Sequence, residues 1–224
     1  MYKRPLLIVA LLLASSFAFA HGVAGRDAAF VTQSAGAHII PFIYLGAKHM
    51  VTGYDHLLFL FGVIFFLYRL KDVALYVTLF AVGHSITLLG GVLGSVQVNA
   101  YVVDAIIGLS VVYKALDNMQ AFTALGWQPN PKAAVLIFGL FHGFGLATKL
   151  QELSLAQDGL VTNMVSFNVG VELGQFLALG AILIAMNYWR RTASFLHHAY
   201  VTNVILMTAG WILVGYQLVG YFVA

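Results

Sequence analysis

Runs of apolar residues, each long enough to cross a bilayer and separated by short polar breaks, fill the chain from Phe42 to Phe222. A helical span needs about 20 such residues. That length predicts six spans: Phe42 to Leu67, Val73 to Gly94, Val98 to Ala115, Ala133 to Ala147, Asn163 to Tyr188 and Tyr200 to Phe222. The runs are continuously apolar and do not alternate with a period of two. Because backbone in lipid must satisfy its own hydrogen bonds, helices and not a barrel are expected. The expected fold is all-α, a polytopic membrane bundle of six transmembrane helices over residues 42–224.

The first twenty residues follow a different pattern. Lys3 and Arg4 precede the short apolar stretch PLLIVALLLASSF, and Ala18-Phe19-Ala20 forms a small-x-small site. This is the grammar of a cleavable signal peptide over residues 1–20, with an uncleaved first helix as the alternative. Residues 21–41 would then be an exported N-terminal segment. Basic loop residues give an independent orientation. With an exported N-terminus, Arg69, Lys71, Lys114, Lys132, Arg190 and Arg191 fall inside, and Arg26, Lys48 and Lys149 fall outside. Both signals put the mature N- and C-termini on the outer side, in a bacterium the periplasmic side of the inner membrane. The loop KALDNMQAFTALGWQPNPK lies inside, its prolines Pro129 and Pro131 marking a turn before the fourth span.

Composition narrows the chemistry. At 61% hydrophobic and 8% charged over 224 residues, the chain cannot clothe a water-facing globule, and the lipid bilayer is its expected surround. The scattered basic residues form no patch or reading motif for nucleic acid. Cysteine is absent, which removes disulfides and thiolate ligands and leaves nitrogen and oxygen as the donors for any metal.

Against this apolar background, Asp55, His56, His84, Asp104, His142 and Glu172 all fall inside predicted spans, on five different segments. Charged groups facing lipid are costly, at least about 2.5 kcal/mol for a charged acid near the centre, so these groups are expected to converge on one another, on water or on a ligand. In HMVTGYDHLLFLF, His49 and His56 are seven residues apart and would share one helix face, with Asp55 about 100° to the side. Asn168, Glu172 and Gln175 form a polar stripe on the fifth span, and the second offers His84 with Ser85 and Thr87. Gly139 and Gly143 bracket His142, and Gly170 and Gly174 bracket Glu172, two G-x-x-x-G patterns that admit close helix approach. Asp104 reads equally well as a helix-start residue. His197 and His198 read as interfacial, and His21 and His38 as part of a loose leader that could chelate metal.

Imidazole and carboxylate without thiolate suit borderline divalent ions such as nickel, cobalt, zinc or iron(II). Four segments, HMVTGYDHLLFL, FAVGHSITLL, GLFHGFGLA and FNVGVELGQ, together resemble the HupE/UreJ family of membrane proteins, accessory to hydrogenase and urease systems and regarded as nickel or cobalt permeases. The resemblance implies that His49, Asp55, His56 and His142 serve metal passage. The geometric reading adds His84 and Glu172 as ligands, with Asp104, Ser85, Asn168 and Gln175 in support. In hydrogenase-linked members a glutamate follows the Phe-His-Gly motif by four residues, where this chain has Ala147. Glu172 is the candidate replacement acid, the alternative being that this branch handles a different ion.

No G-x-x-x-x-G-K-[ST] phosphate loop occurs, so the expected activity is secondary or channel-like movement of a divalent transition metal, nickel or cobalt first, with no catalytic residues and no resident cofactor. The rival expectation is an intramembrane zinc-dependent hydrolase using the same His/Asp cluster, although H-E-x-x-H and G-x-S-x-G are both missing. A haem carrier with paired axial histidines is a weaker third.

Overall fold

The computed structural model describes residues 26–153 and 156–223. The expected leader and His21 lie outside the described residues. Nine helices follow one another among the described residues, with no strand: α1 (Arg26–Gln33), α2 (Ile39–Thr52), α3 (Tyr54–Ile64), α4 (Leu70–Leu93), α5 (Ala100–Asn118), the single turn α6 (Ala121–Ala124), α7 (Pro131–Gln151), α8 (Leu160–Arg190) and α9 (Ser194–Val223). Four of them, α4, α7, α8 and α9, are long and apolar enough to cross a membrane. Their outward faces carry large apolar side chains such as Phe176, Ile184, Ile205 and Trp211, which is the surface a bilayer would cover.

Two of the six expected spans are not simple apolar rods. The first, expected to run unbroken from Phe42 to Leu67, is divided at Gly53 into α2 and α3. Gly53 has an extended backbone (φ −72°, ψ 102°) that interrupts the helix. The third is α5, which packs Asp104, Lys114 and Asp117 into 19 residues and so falls short of the apolar character of the other four. The fourth runs from Pro131 to Gln151, longer than expected. Asn130 caps it by accepting from the N–H groups of Lys132 and Ala133, and Pro131 occupies a position where no N–H is needed. Asn99 caps α5 in the same way.

The long helices associate as three pairs, α2 with α8, α4 with α7, and α5 with α9. Glycine sits at every seam. A methyl group on Gly170 would collide with the Ile43 carbonyl, and one on Gly174 would lie 2.6 Å from that of Ala47. On Gly139 it would strike the Phe80 carbonyl, and on Gly143 that of His84. Gly108 and Gly210 face each other across α5 and α9, each Cβ reaching the other's carbonyl at 3.2 and 3.0 Å. In lipid, where burial of apolar surface gives little drive, such backbone proximity is a main source of helix association.

The short α3 threads between the pairs, touching α2, α4, α5, α8 and α9. Its C-terminal carbonyls are satisfied from two sides. Arg190 Nη2 donates to the carbonyls of Ile64 and Phe65, with its guanidinium 4.8 Å from the Tyr68 ring centre, and Asn118 Nδ2 donates to Gly62 O at 2.9 Å. At the opposite end of the bundle, the expected loose leader is instead partly helical. Val31 of α1 is fully buried, Asp27 pairs with Lys48 at 2.6 Å, and Asn163 bridges the segment by accepting from His38 N and donating to Gly36 O.

Candidate functional site

The break at Gly53 turns α3 so that its first turn presents Asp55 and His56 to the interior, both completely buried. His56 is the hub. Its ring centre lies 5.1 Å from that of His49 on α2, 5.8 Å from His84 on α4 and 5.0 Å from His142 on α7. Four imidazoles from four helices thus form one layer. His49 and His56 do meet, but from two helices joined at an elbow and not along one helical face. The elbow at Gly53, and not the seven-residue spacing along one helix, brings the two rings together.

Hydrogen bonds set the orientation of two rings. His142 Nδ1 lies 2.7 Å from the Phe138 carbonyl, which can only accept, so that nitrogen carries the proton and the neutral ring has its lone pair on Nε2. His56 Nδ1 lies 3.2 Å from Asp55 Oδ1, and the carboxylate fixes this ring in the same sense. A carboxylate or carbonyl behind an imidazole is the usual support for a metal-binding histidine. The spacing agrees: with metal–nitrogen bonds of about 2.0 Å, two imidazoles at a tetrahedral angle have ring centres about 5 Å apart. Among the described residues, however, no three of His, Asp and Glu stand at full ligating geometry around one point.

Beneath the imidazole layer lies a floor of phenylalanine that the sequence reading missed. Phe59, Phe80 and Phe138 pack together, with Phe59 5.3 Å from Phe80 and 5.9 Å from Phe138. Phe80 also approaches His142 at 5.0 Å and His84 at 6.1 Å, and Phe59 approaches His142 at 5.4 Å. The signal was present. Phe59 follows His56 by three residues, while Phe80 and Phe138 precede His84 and His142 by four. Since α3 runs opposite to α4 and α7, all three rings come out one turn below the histidines, on the side away from α1.

Two sequence-selected acids stand apart from this layer. Glu172 is exposed and lines a cavity of about 310 Å³ between α4 and α8, with Ser85, Gln175 and Phe176 but none of the imidazoles. Its stripe serves helix contact: Asn168 Nδ2 donates to Ser85 Oγ at 3.0 Å and to Glu172 Oε1 at 3.4 Å, and Gln175 Nε2 donates to the Val77 carbonyl at 3.2 Å. The i, i+4, i+7 spacing fixed a common face but not the partner that face meets. Asp104 is buried and answered by Lys149 Nζ at 2.6 Å, an ion pair joining α5 to α7 near the α1 end. Gly53 is the other residue whose role the sequence reading missed, because a lone glycine in an apolar run does not distinguish packing from a break.

The family model described as HupE / UreJ protein matches residues 25–224. No curated protein and no solved structure matches the chain.

Proposed function

The chain belongs to the HupE/UreJ family, a membrane family associated with metal transport, and on that premise we propose that it moves a divalent transition metal, nickel or cobalt by preference, through the His49–Asp55–His56–His84–His142 layer. The observation that carries the reading is the placing of His56 within 5.8 Å, ring to ring, of three further imidazoles from three other helices.

The chemistry follows from the donors. Imidazole nitrogens replace the ion's water on the α1 side, and Asp55 offsets charge through His56. Small rotations of the rings bring the nitrogens onto the ion. A site that must also release its cargo has no need of a closed, pre-gathered cage. The phenylalanine floor keeps the resting path shut to water and small ions. In this reading α2 with α3, α4, α5, α7, α8 and α9 supply six crossings, α1 faces the periplasm, and both mature termini share that side. The membrane potential drives the cation inward, worth about 2.3 kcal/mol per charge per 100 mV.

Purified protein in liposomes loaded with a metal-sensitive dye tests this directly. Nickel or cobalt added outside is expected to raise the internal signal, and His56→Ala is expected to abolish that rise while the protein stays folded. Flux that persists undiminished in His56→Ala, or metal that binds the intact protein but never reaches the lumen, would sink the reading.

A further inference from the structure

At the end of the bundle away from α1, a second cleft, open to the surface and partly polar, lies beside the C-terminal half of α3. It has a volume of about 530 Å³ and is bounded by Lys114, Asp117 and Asn118 of α5, by Gln120 just beyond that helix, by Tyr200 and Asn203 of α9, and by the apolar Phe66, Leu196 and Ala199. With each water taking about 30 Å³, it can hold a divalent ion with its first hydration shell.

Its wiring ties α5 to α3. A lysine near a helix end ordinarily lays its stem along apolar surface and carries its ammonium toward the helix end. Lys114 follows that rule, but its ammonium meets an acid. It is 9% exposed, and its Cγ would lie 3.1 Å from a methyl group placed on Gly62 of α3. Its Nζ reaches Asp117 Oδ2 at 2.5 Å. Beside it, Asn118 Nδ2 donates both to Gly62 O and to Asn203 Oδ1, each at 2.9 Å, and Asn203 is almost wholly buried. Gly62 lies six residues beyond His56 on the same helix, about 9 Å of rise. The fully buried Phe59 and Leu60 lie between. One helix therefore carries the imidazole layer at its first turn and backs onto this cleft at its last.

We infer that the cleft is a release station for the divalent cation, with Asp117 and the amide oxygens of Asn118 and Asn203 as hard-oxygen donors and the Lys114 ammonium as a tethered competitor. This rests on the proposed transport function. An ion that has crossed the phenylalanine floor meets oxygen in place of imidazole, which suits a partly hydrated, loosely held cation. It displaces Lys114 from Asp117, and the returning ammonium expels it. The lysine occupies the acid between passages and prevents the cleft from becoming a trap.

Removal of the competitor is the test. Purified full-length protein is brought to equilibrium by dialysis against nickel or cobalt, and the metal bound per chain is measured at equilibrium. Lys114→Gln keeps a stem of similar shape against Gly62 and is expected to carry one more ion than the parent, an ion that the double variant with Asp117→Asn loses. In liposomes Asp117→Asn alone is expected to slow uptake at least fivefold with parental binding at the imidazole layer. No additional ion in folded Lys114→Gln overturns the inference, as does parental uptake by Asp117→Asn. Should Lys114→Gln fail to fold, the Asp117→Asn rate decides alone. Failure of the transport reading is seen separately, as absent flux in the parent or flux indifferent to His56→Ala.

Discussion

Replacing Gly53 by alanine adds a single methyl group at the elbow between α2 and α3. That carbon would sit 2.8 Å from His56 Nδ1, 3.1 Å from the His49 carbonyl and 3.2 Å from Asp55 Oδ1. The backbone angles there, φ −72° and ψ 102°, are ordinary for alanine, so the whole penalty is steric and falls on the neighbours. Asp55 and His56 are fully buried and cannot retreat into solvent. The cheapest relief is to part the Nδ1···Oδ1 hydrogen bond that orients the hub imidazole. A hydrogen bond to a charged group contributes about 1.5–3 kcal/mol. At 1.4 kcal/mol per factor of ten, its loss predicts metal binding weakened roughly ten- to a hundredfold. Isothermal titration of the purified protein with nickel or cobalt measures this, and a thermal melt in the same detergent reports whether the fold is intact. Parental affinity in a folded Gly53→Ala protein would refute the idea that the break exists to set the Asp55–His56 pair.

Other substitutions test the surrounding construction. Lys149→Met leaves the buried Asp104 without its 2.6 Å partner and is expected to cost about 3–5 kcal/mol, seen as a lower thermal midpoint, because an uncompensated interior charge is worse than no pair at all. Gly170→Leu drives a side chain into the Ile43 carbonyl and is expected to separate α2 from α8, read as increased protease sensitivity in membranes. Phe80→Ala empties the centre of the aromatic floor at a cost of about 3–5 kcal/mol. Because Phe80 offers no ligand, metal affinity should hold within threefold while dye-loaded liposomes become leaky to small ions.

What the sequence made legible was set by local pattern. Apolar runs located the helices, because lipid leaves the backbone no alternative partner. The rarity of imidazole in such runs singled out His56, His84 and His142, and these do meet. Two acids chosen by the same rule, Asp104 and Glu172, went elsewhere. One is neutralised by Lys149, 45 residues away in sequence, and the other opens onto a groove shared with α4. Depth along a helix can be counted from sequence, but rotation about its axis depends on which neighbour it packs against, and that pairing follows from glycine seams spread over the whole chain. The division of the first span was hidden for a related reason: glycine is common in membrane helices, and only the crowding of Asp55 and His56 against Gly53 reveals why this one interrupts the ladder.

The glycine seams also constrain how the molecule can move. His84 and His142 belong to α4 and α7, whose backbones touch at Gly139 and Gly143, so their mutual distance is fixed like that of two studs on one plate. His56 rides on the first turn of α3, beside a one-residue elbow; α3 has no such backbone seam and is held at its far end by the side chains of Arg190 and Asn118. A cycle of opening and closing would therefore change the His56 distances and leave the His84–His142 distance alone. Pairs of spin labels or fluorophores on α4 and α7 should stay silent through turnover, while a label on α3 reports it.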